Sequence, residues 1–273
     1  MEEAQKLHAF DNITSDLHLL IDSHLDCNKI STLRKRHRQL LSRYTIHGTP
    51  TKTRGVLAFL KRNNGCSISE VTTNNNQDTL LFKLTLPDTS TVDIMAVYAP
   101  SKDRPEFWES TQTLLNNAPS THKILIGDFN VTLNHSTDST GYDTDPHKKS
   151  RKILQSCLDN EELIDSYRHF NPDKKEYSFR TKNCHKRARL DYGLVSPSLI
   201  QHITSTSFTA HNFGVTDHSS YTIKLDLTKS ETGRGTFRCT LNLQHNTTYQ
   251  ALIKNRIKKS IFQSIKKTET TTL

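Results

Sequence analysis

Apolar and polar positions divide the chain into many short segments rather than a few long ones. The stretches "TLLFKLTLP" (79–87) and "STVDIMAVYAP" (90–100) alternate with a period near two around the turn-forming "PDTS", which predicts two strands joined by a turn. Further strands are expected at "TRGVLAFLKRN" (53–63), "HKILIGDFNV" (122–131), "YSFR" (177–180), "ARLDYGLVS" (188–196) and "HITSTSF" (202–208), and "SSYTIKLDL" (219–227) alternates cleanly. Helical spacing predicts helices over 105–117 and within 150–168, and residues 6–24 read as a helix leading into a strand at "LHLLID". Residues 31–45 are basic and read as helix and loop, while "HSTDSTGYDTDPHKKS" (135–150), with Gly141 and Pro146, predicts a loop. Helices and strands interleave, yet several strands are adjacent hairpins. That mixture points to an α/β fold in which two mixed sheets pack together with helices outside, a four-layer α-β-β-α sandwich, rather than to a purely parallel sheet.

After Leu227 the character changes. "TKSETGRGTF" reads as a linker, and the Lys-rich segment that follows carries an apolar stripe at Tyr249, Ile253, Ile257, Ile261 and Ile265. The expected division is therefore a domain over 1–228, then a linker and a basic amphipathic helix over 229–273 whose stripe needs a partner domain.

Composition narrows the setting. With 273 residues, 33% of them hydrophobic, the chain can bury one sizeable core. No apolar segment approaches the roughly 18 residues needed to cross a bilayer, and nothing reads as a lipid anchor, so no membrane partner is expected beyond what net charge alone would allow. The acidic start "MEEAQKLHAF" has no apolar stretch of the secretory kind. Five scattered cysteines without a CxxC pair argue against a disulfide framework and a zinc site, and fit an intracellular, reducing compartment. A net charge of +9 favours a polyanionic partner, nucleic acid or an anionic membrane face. The run "RKRHR" (34–38) suits phosphate tracking, nuclear import or simply a solvated helix face.

Candidate chemistry begins at "ILIGDFNVTL" (124–133). In an extended chain Asp128 and Asn130 share a face, and Gly127 permits a close approach by substrate or by another backbone. An Asx turn that satisfies local backbone groups is the competing reading. Two later segments bear on that choice. Asp191 lies in the apolar "RARLDYGLVS", where a carboxylate is costly unless partnered. Asp217 and His218 stand just before a strand in "GVTDHSSYTI". A carboxylate such as Asp191 that fixes the tautomer of His218 would make it a proton acceptor or a phosphate ligand. Hard carboxylates beside it suit Mg²⁺. Phe107, Trp108 and Tyr167 could stack on bases, although core positions are the plainer reading.

The ordered motifs "VYAP" (97–100), "GDFN" (127–130), "RLDY…VS" (189–196) and "TDHS" (216–219) resemble the endonuclease/exonuclease/phosphatase superfamily, related to DNase I and the apurinic/apyrimidinic endonucleases. Within it, "MAVYAPSKDRPEFWE", "ELIDSYRHFNPDKKEYSFR" and "GRGTFRCTLNLQHNTTYQALIKNRIKK" are most similar to the endonuclease domain of LINE-type non-LTR retrotransposons. The resemblance implies a Mg²⁺-dependent (or Mn²⁺-dependent) phosphodiesterase that nicks DNA, in the nucleus. It implies that Asp128 orients or deprotonates the attacking water and that Asn130 holds water and phosphate. His218, supported by Asp191, would contact the phosphate or act as base, Tyr98 would bond a phosphate oxygen, and Asp217 would ligate the metal or adjoin it. Asp22 in "LIDSHL" stands where relatives carry a metal-binding glutamate. The resemblance further implies that the family's first core strand is missing from this chain. A catalytically inactive nucleic-acid-binding remnant and a phosphatase of the same superfamily are the alternatives.

Overall fold

The computed structural model describes residues 15–226, apart from 37, 52, 53, 75, 184 and 211–215. The chain divides into two units, Met1–Asp226 and Leu227–Leu273. The linker and amphipathic helix expected over 229–273 lie outside the described residues, as does the helix expected from residue 6.

In chain order the strands are β1 (Leu17–Ile21), β2 (Tyr44–His47), β3 (Val56–Lys61), β4 (Ser67–Thr73), β5 (Thr79–Thr85), β6 (Thr91–Tyr98) and β7 (Lys123–Asp128). They continue as β8 (Ser139–Thr140), β9 (Ile164–Asp165), β10 (Phe179–Arg180), β11 (Arg187–Ala188), β12 (Asp191–Val195), β13 (Ile203–Thr209) and β14 (Ser220–Leu225). Among the described residues three helices have ten or more residues: α1 (Cys27–Arg36), α2 (Pro105–Asn116) and α3 (Lys148–Asn160). Pro105 begins α2, where its missing N–H costs nothing, and Asn117 caps its end.

A six-stranded mixed sheet in the order β4-β5-β6-β7-β12-β9 forms the centre. Every pair in it is antiparallel except β6 and β7, which run parallel because α2 carries the chain back between them. Helices α2 and α3 cover one face, burying Trp108, Leu115, Leu154 and Leu158 against Met95, Leu125 and Leu194. The other face meets the remaining strands: β3 lies on β5 and β6, β1 on β6 and β7, and β14 on β12. Strand β3 is buried along both faces, which is why "VLAFL" is apolar without alternation.

The mixed α/β sandwich expected from the sequence is thus present, with a second layer in two pieces. Strands β1-β3-β2 form one antiparallel sheet and β13-β14 a hairpin, and among the described residues no strand joins them. Strand β4 was not foreseen, because "SISEVTT" is an edge strand exposed along most of its length, with a register shift between Ser69 and Thr72. The polar loop expected at 135–150 contains a helical turn at His135–Asp138 and strand β8. Asp138 is buried there because it pairs with Arg189, itself only 1% exposed, which also reaches Asp165 at 2.7 Å.

Candidate active site

Three strands end at one edge of the central sheet, and this places the candidate residues side by side. Tyr98 closes β6, Asp128 closes β7, and Asp191 opens the antiparallel β12. In register, Asp128 pairs with Tyr98 on one side and with Asp191 on the other. Residues far apart in sequence therefore meet because the parallel β6 brings its C-terminal end, and the antiparallel β12 its N-terminal end, to the edge where β7 ends. Gly127 lets β7 sit against β6: its φ is +140°, and a Cβ there would lie 2.1 Å from the Val97 carbonyl oxygen. The close approach foreseen at this glycine is to backbone.

Asn130 follows in the left-handed region, φ 50°, which asparagine tolerates well. Its backbone N–H donates to Asp128 Oδ1 at 2.9 Å, an Asx turn. Its side-chain nitrogen donates to Ala99 O at 2.9 Å and to Asp128 Oδ2 at 3.2 Å. The turn and the functional reading thus describe one arrangement, although the two side chains converge through the turn and not through an extended chain.

His218 reaches the same spot from the approach to β14. Its Nδ1 lies 2.8 Å from Asp191 Oδ2, and its Nε2 lies 3.9 Å from Asp128 Oδ2. Ligand atoms of Asp128, Asp191 and His218 all fall within 4.8 Å of one another. The ring packs on Phe179 at 5.2 Å. Burial works against the imidazolium, but the bond to Asp191 and the charges of Asp191, Asp128 and Asp217 together outweigh it and push the pKa up to about 9. Asp128 departs from an ordinary carboxylate. Burial and then the adjacent Asp191 charge raise its pKa, against the pull of His218 and the Asn130 N–H, and Asp22 adds to the rise.

Tyr98 and Asp22 form the neighbouring group. The Tyr98 hydroxyl bonds Asp22, and burial followed by the Asp22 and Asp128 charges pushes its pKa up to about 12, so it stays a donor. Asp22, at φ 53°, also pairs with His24 Nε2 at 3.0 Å. Asp217 is exposed and stands outside the three-residue cluster; its carbonyl accepts from Arg180 N–H at 3.0 Å. Phe107, Trp108 and Tyr167 are buried.

One residue of this edge escaped the sequence reading. The Arg54 guanidinium lies 4.5 Å over the Tyr98 ring, donates to Tyr98 O at 2.8 Å and stands 3.4 Å from the buried Asp78.

No family model matches the sequence. Solved structures do. An AP endonuclease from Archaeoglobus fulgidus superposes with a TM-score of 0.68 at 14% identity, over 82% of this chain and 94% of that one. The 3′-5′ exonuclease NExo from Neisseria meningitidis gives 0.63 at 17%, over 82% and 95%. The AP endonuclease LMAP from Leishmania major gives 0.62 at 16%, over 82% and 81%. The chain shares the DNase I-like fold of these structures. In this DNase I-like fold the residues at the sheet edge also suit a cation. Asp128, Asp191 and Asp22 supply hard oxygen donors, and a divalent ion would offset the burial and the adjacent Asp191 charge that disfavour the Asp128 carboxylate.

Proposed function

We propose that this chain is a divalent-cation-dependent phosphodiesterase that nicks DNA, encoded by a retrotransposon-derived open reading frame acting in the nucleus. The observation that carries the hydrolytic reading is the Asp191–His218–Asp128 array at the ends of β7 and β12. The fold shared with AP endonucleases and an exonuclease supports the substrate class, and a NExo 3′ phosphatase from Neisseria has been seen bound to a product DNA hairpin. A net charge of +9 suits a phosphate backbone and makes binding salt-sensitive. The similarity to LINE-type segments supports the origin.

Asp191 fixes His218 with its proton on Nδ1. With a pKa of about 9, His218 is a cation at neutral pH, suited to contact a phosphoryl oxygen. Asp128, with its raised pKa, is suited to accept the proton of the attacking water. The water oxygen bonds to phosphorus, and the ester oxygen leaves and takes a proton from solvent. Asn130 holds Asp128 in place through two bonds, and Tyr98 keeps its proton as a donor toward the phosphate or Asp22. Asp128, Asp191 and Asp22 would hold Mg²⁺ or Mn²⁺, with Asp217 beside them, and the ion would supply positive charge against the phosphoryl oxygens.

Supercoiled plasmid and inositol phosphates, each with Mg²⁺ or with EDTA, test the reading. Relaxed circles only with Mg²⁺ and no release from inositol phosphates is the expected result. Nicking unchanged by EDTA overturns the cation requirement, and faster hydrolysis of inositol phosphates than of DNA assigns a phosphatase instead.

A further inference from the structure

Asp191 and His218 do not share a sheet. Asp191 opens β12 in the central sheet, whereas His218 precedes β14 in the hairpin, so continuity within one sheet cannot hold the pair at 2.8 Å. The link comes from the short strand β10 and the residue before it. The Ser178 hydroxyl accepts from Leu190 N–H at 2.9 Å and from Asp191 N–H at 3.0 Å. The Ser178 carbonyl accepts from Ser219 N–H at 2.7 Å. Phe179 then bridges His218, and Arg180 N–H donates to Asp217 O. One buried serine, 1% exposed, therefore grips the backbone on both sides of the pair.

We propose that Ser178 is a positioning residue that sets the distance and angle between Asp191 and His218. The proposal rests on the hydrolytic reading of that pair. The chemistry of the hydroxyl is the reason. It has two acceptor lone pairs, and two backbone amides occupy them. Alanine would leave both amides without an acceptor where solvent barely reaches, and the start of β12 would shift to find one. Threonine keeps the oxygen. A displacement of the carboxylate by about an ångström is enough to lose the alignment of the imidazole, an effect on turnover rather than on substrate capture.

The test compares wild type, Ser178→Ala and Ser178→Thr by two readouts, with a thermal melt to show that each is folded at the assay temperature. The first is the NMR signal of the His218 Nδ1 proton, and the second is kcat and KM for plasmid nicking. The alanine variant should lose the proton signal and drop in kcat at least about tenfold, with KM changed less than about threefold. The threonine variant should recover both. An alanine variant that keeps signal and kcat overturns the proposal, as does a threonine variant that recovers neither. If the alanine chain does not fold, Ser178→Cys, isosteric with a weak acceptor, replaces it under the same two readouts and the same criteria. A wild-type chain that nicks nothing defeats the hydrolytic reading, while the NMR comparison still decides the role of Ser178.

Discussion

Asp128 carries the sharpest electrostatic conflict among the described residues. Only 6% exposed and set beside Asp191, it holds its charge at a cost to folding whenever no cation is bound. The sign follows from linkage. A carboxyl whose native pKa lies above its unfolded value destabilises the fold once pH exceeds the unfolded value of 3.8, most fully above the native value, and the penalty fades as pH falls between them. In EDTA at a pH of about 8, Asp128→Asn should therefore melt higher than wild type, with the gain shrinking as the pH falls to about 4. Added Mg²⁺ should raise the wild-type midpoint and leave the variant's unchanged. Thermal melts at several pH values, with and without the ion, measure both effects. An Asp128→Asn variant no more stable than wild type in EDTA would contradict the assignment of strain to this carboxylate. Asp128 and Asp191 stood out in the sequence because carboxylates in apolar strands demand partners, and Asn130 and His218 stood out through "GDFN" and "TDHS". Ser178 and Arg54 were not, since a small serine in "EYSFR" and an arginine in "KTRGV" acquire meaning only from partners brought in by tertiary contacts.

Strands make the site by ending together. The parallel step from β6 to β7 brings Tyr98 and Asp128 to one edge, and Ala99 N–H secures the junction by donating to Asp128 O at 2.8 Å. Gly127 is the element-scale requirement for that step. A methyl group there would meet the Val97 carbonyl oxygen at 2.1 Å, and φ +140° adds strain of its own. Gly127→Ala should cost at least about 2 kcal/mol, read as a lower denaturant midpoint; a midpoint unchanged within error would show that β6 and β7 can separate without penalty. Strands with clear alternation or continuous apolar runs, such as β5, β6 and β3, could be read directly. The strand expected at "YSFR" is present as β10, whereas the two-residue strands β8, β9 and β11 depend on pairing for their existence and leave no period to detect.

At the scale of the molecule, a helix-covered mixed sheet and a second strand layer present one polar edge on a chain of net charge +9. No helix among the described residues is long and apolar enough to cross a membrane. Fold class was readable from the interleaving of strands, helices and hairpins. The division of the second layer was not, because strand order across it depends on which edges find hydrogen-bond partners. The central claim is that Asp128 and His218 act on a phosphodiester at that edge. Single-turnover nicking of supercoiled plasmid in saturating Mg²⁺ by wild type, Asp128→Ala and His218→Ala tests it most directly. Each variant should be slower by at least about a hundredfold while remaining folded. Folded variants that nick within about threefold of wild type would contradict it.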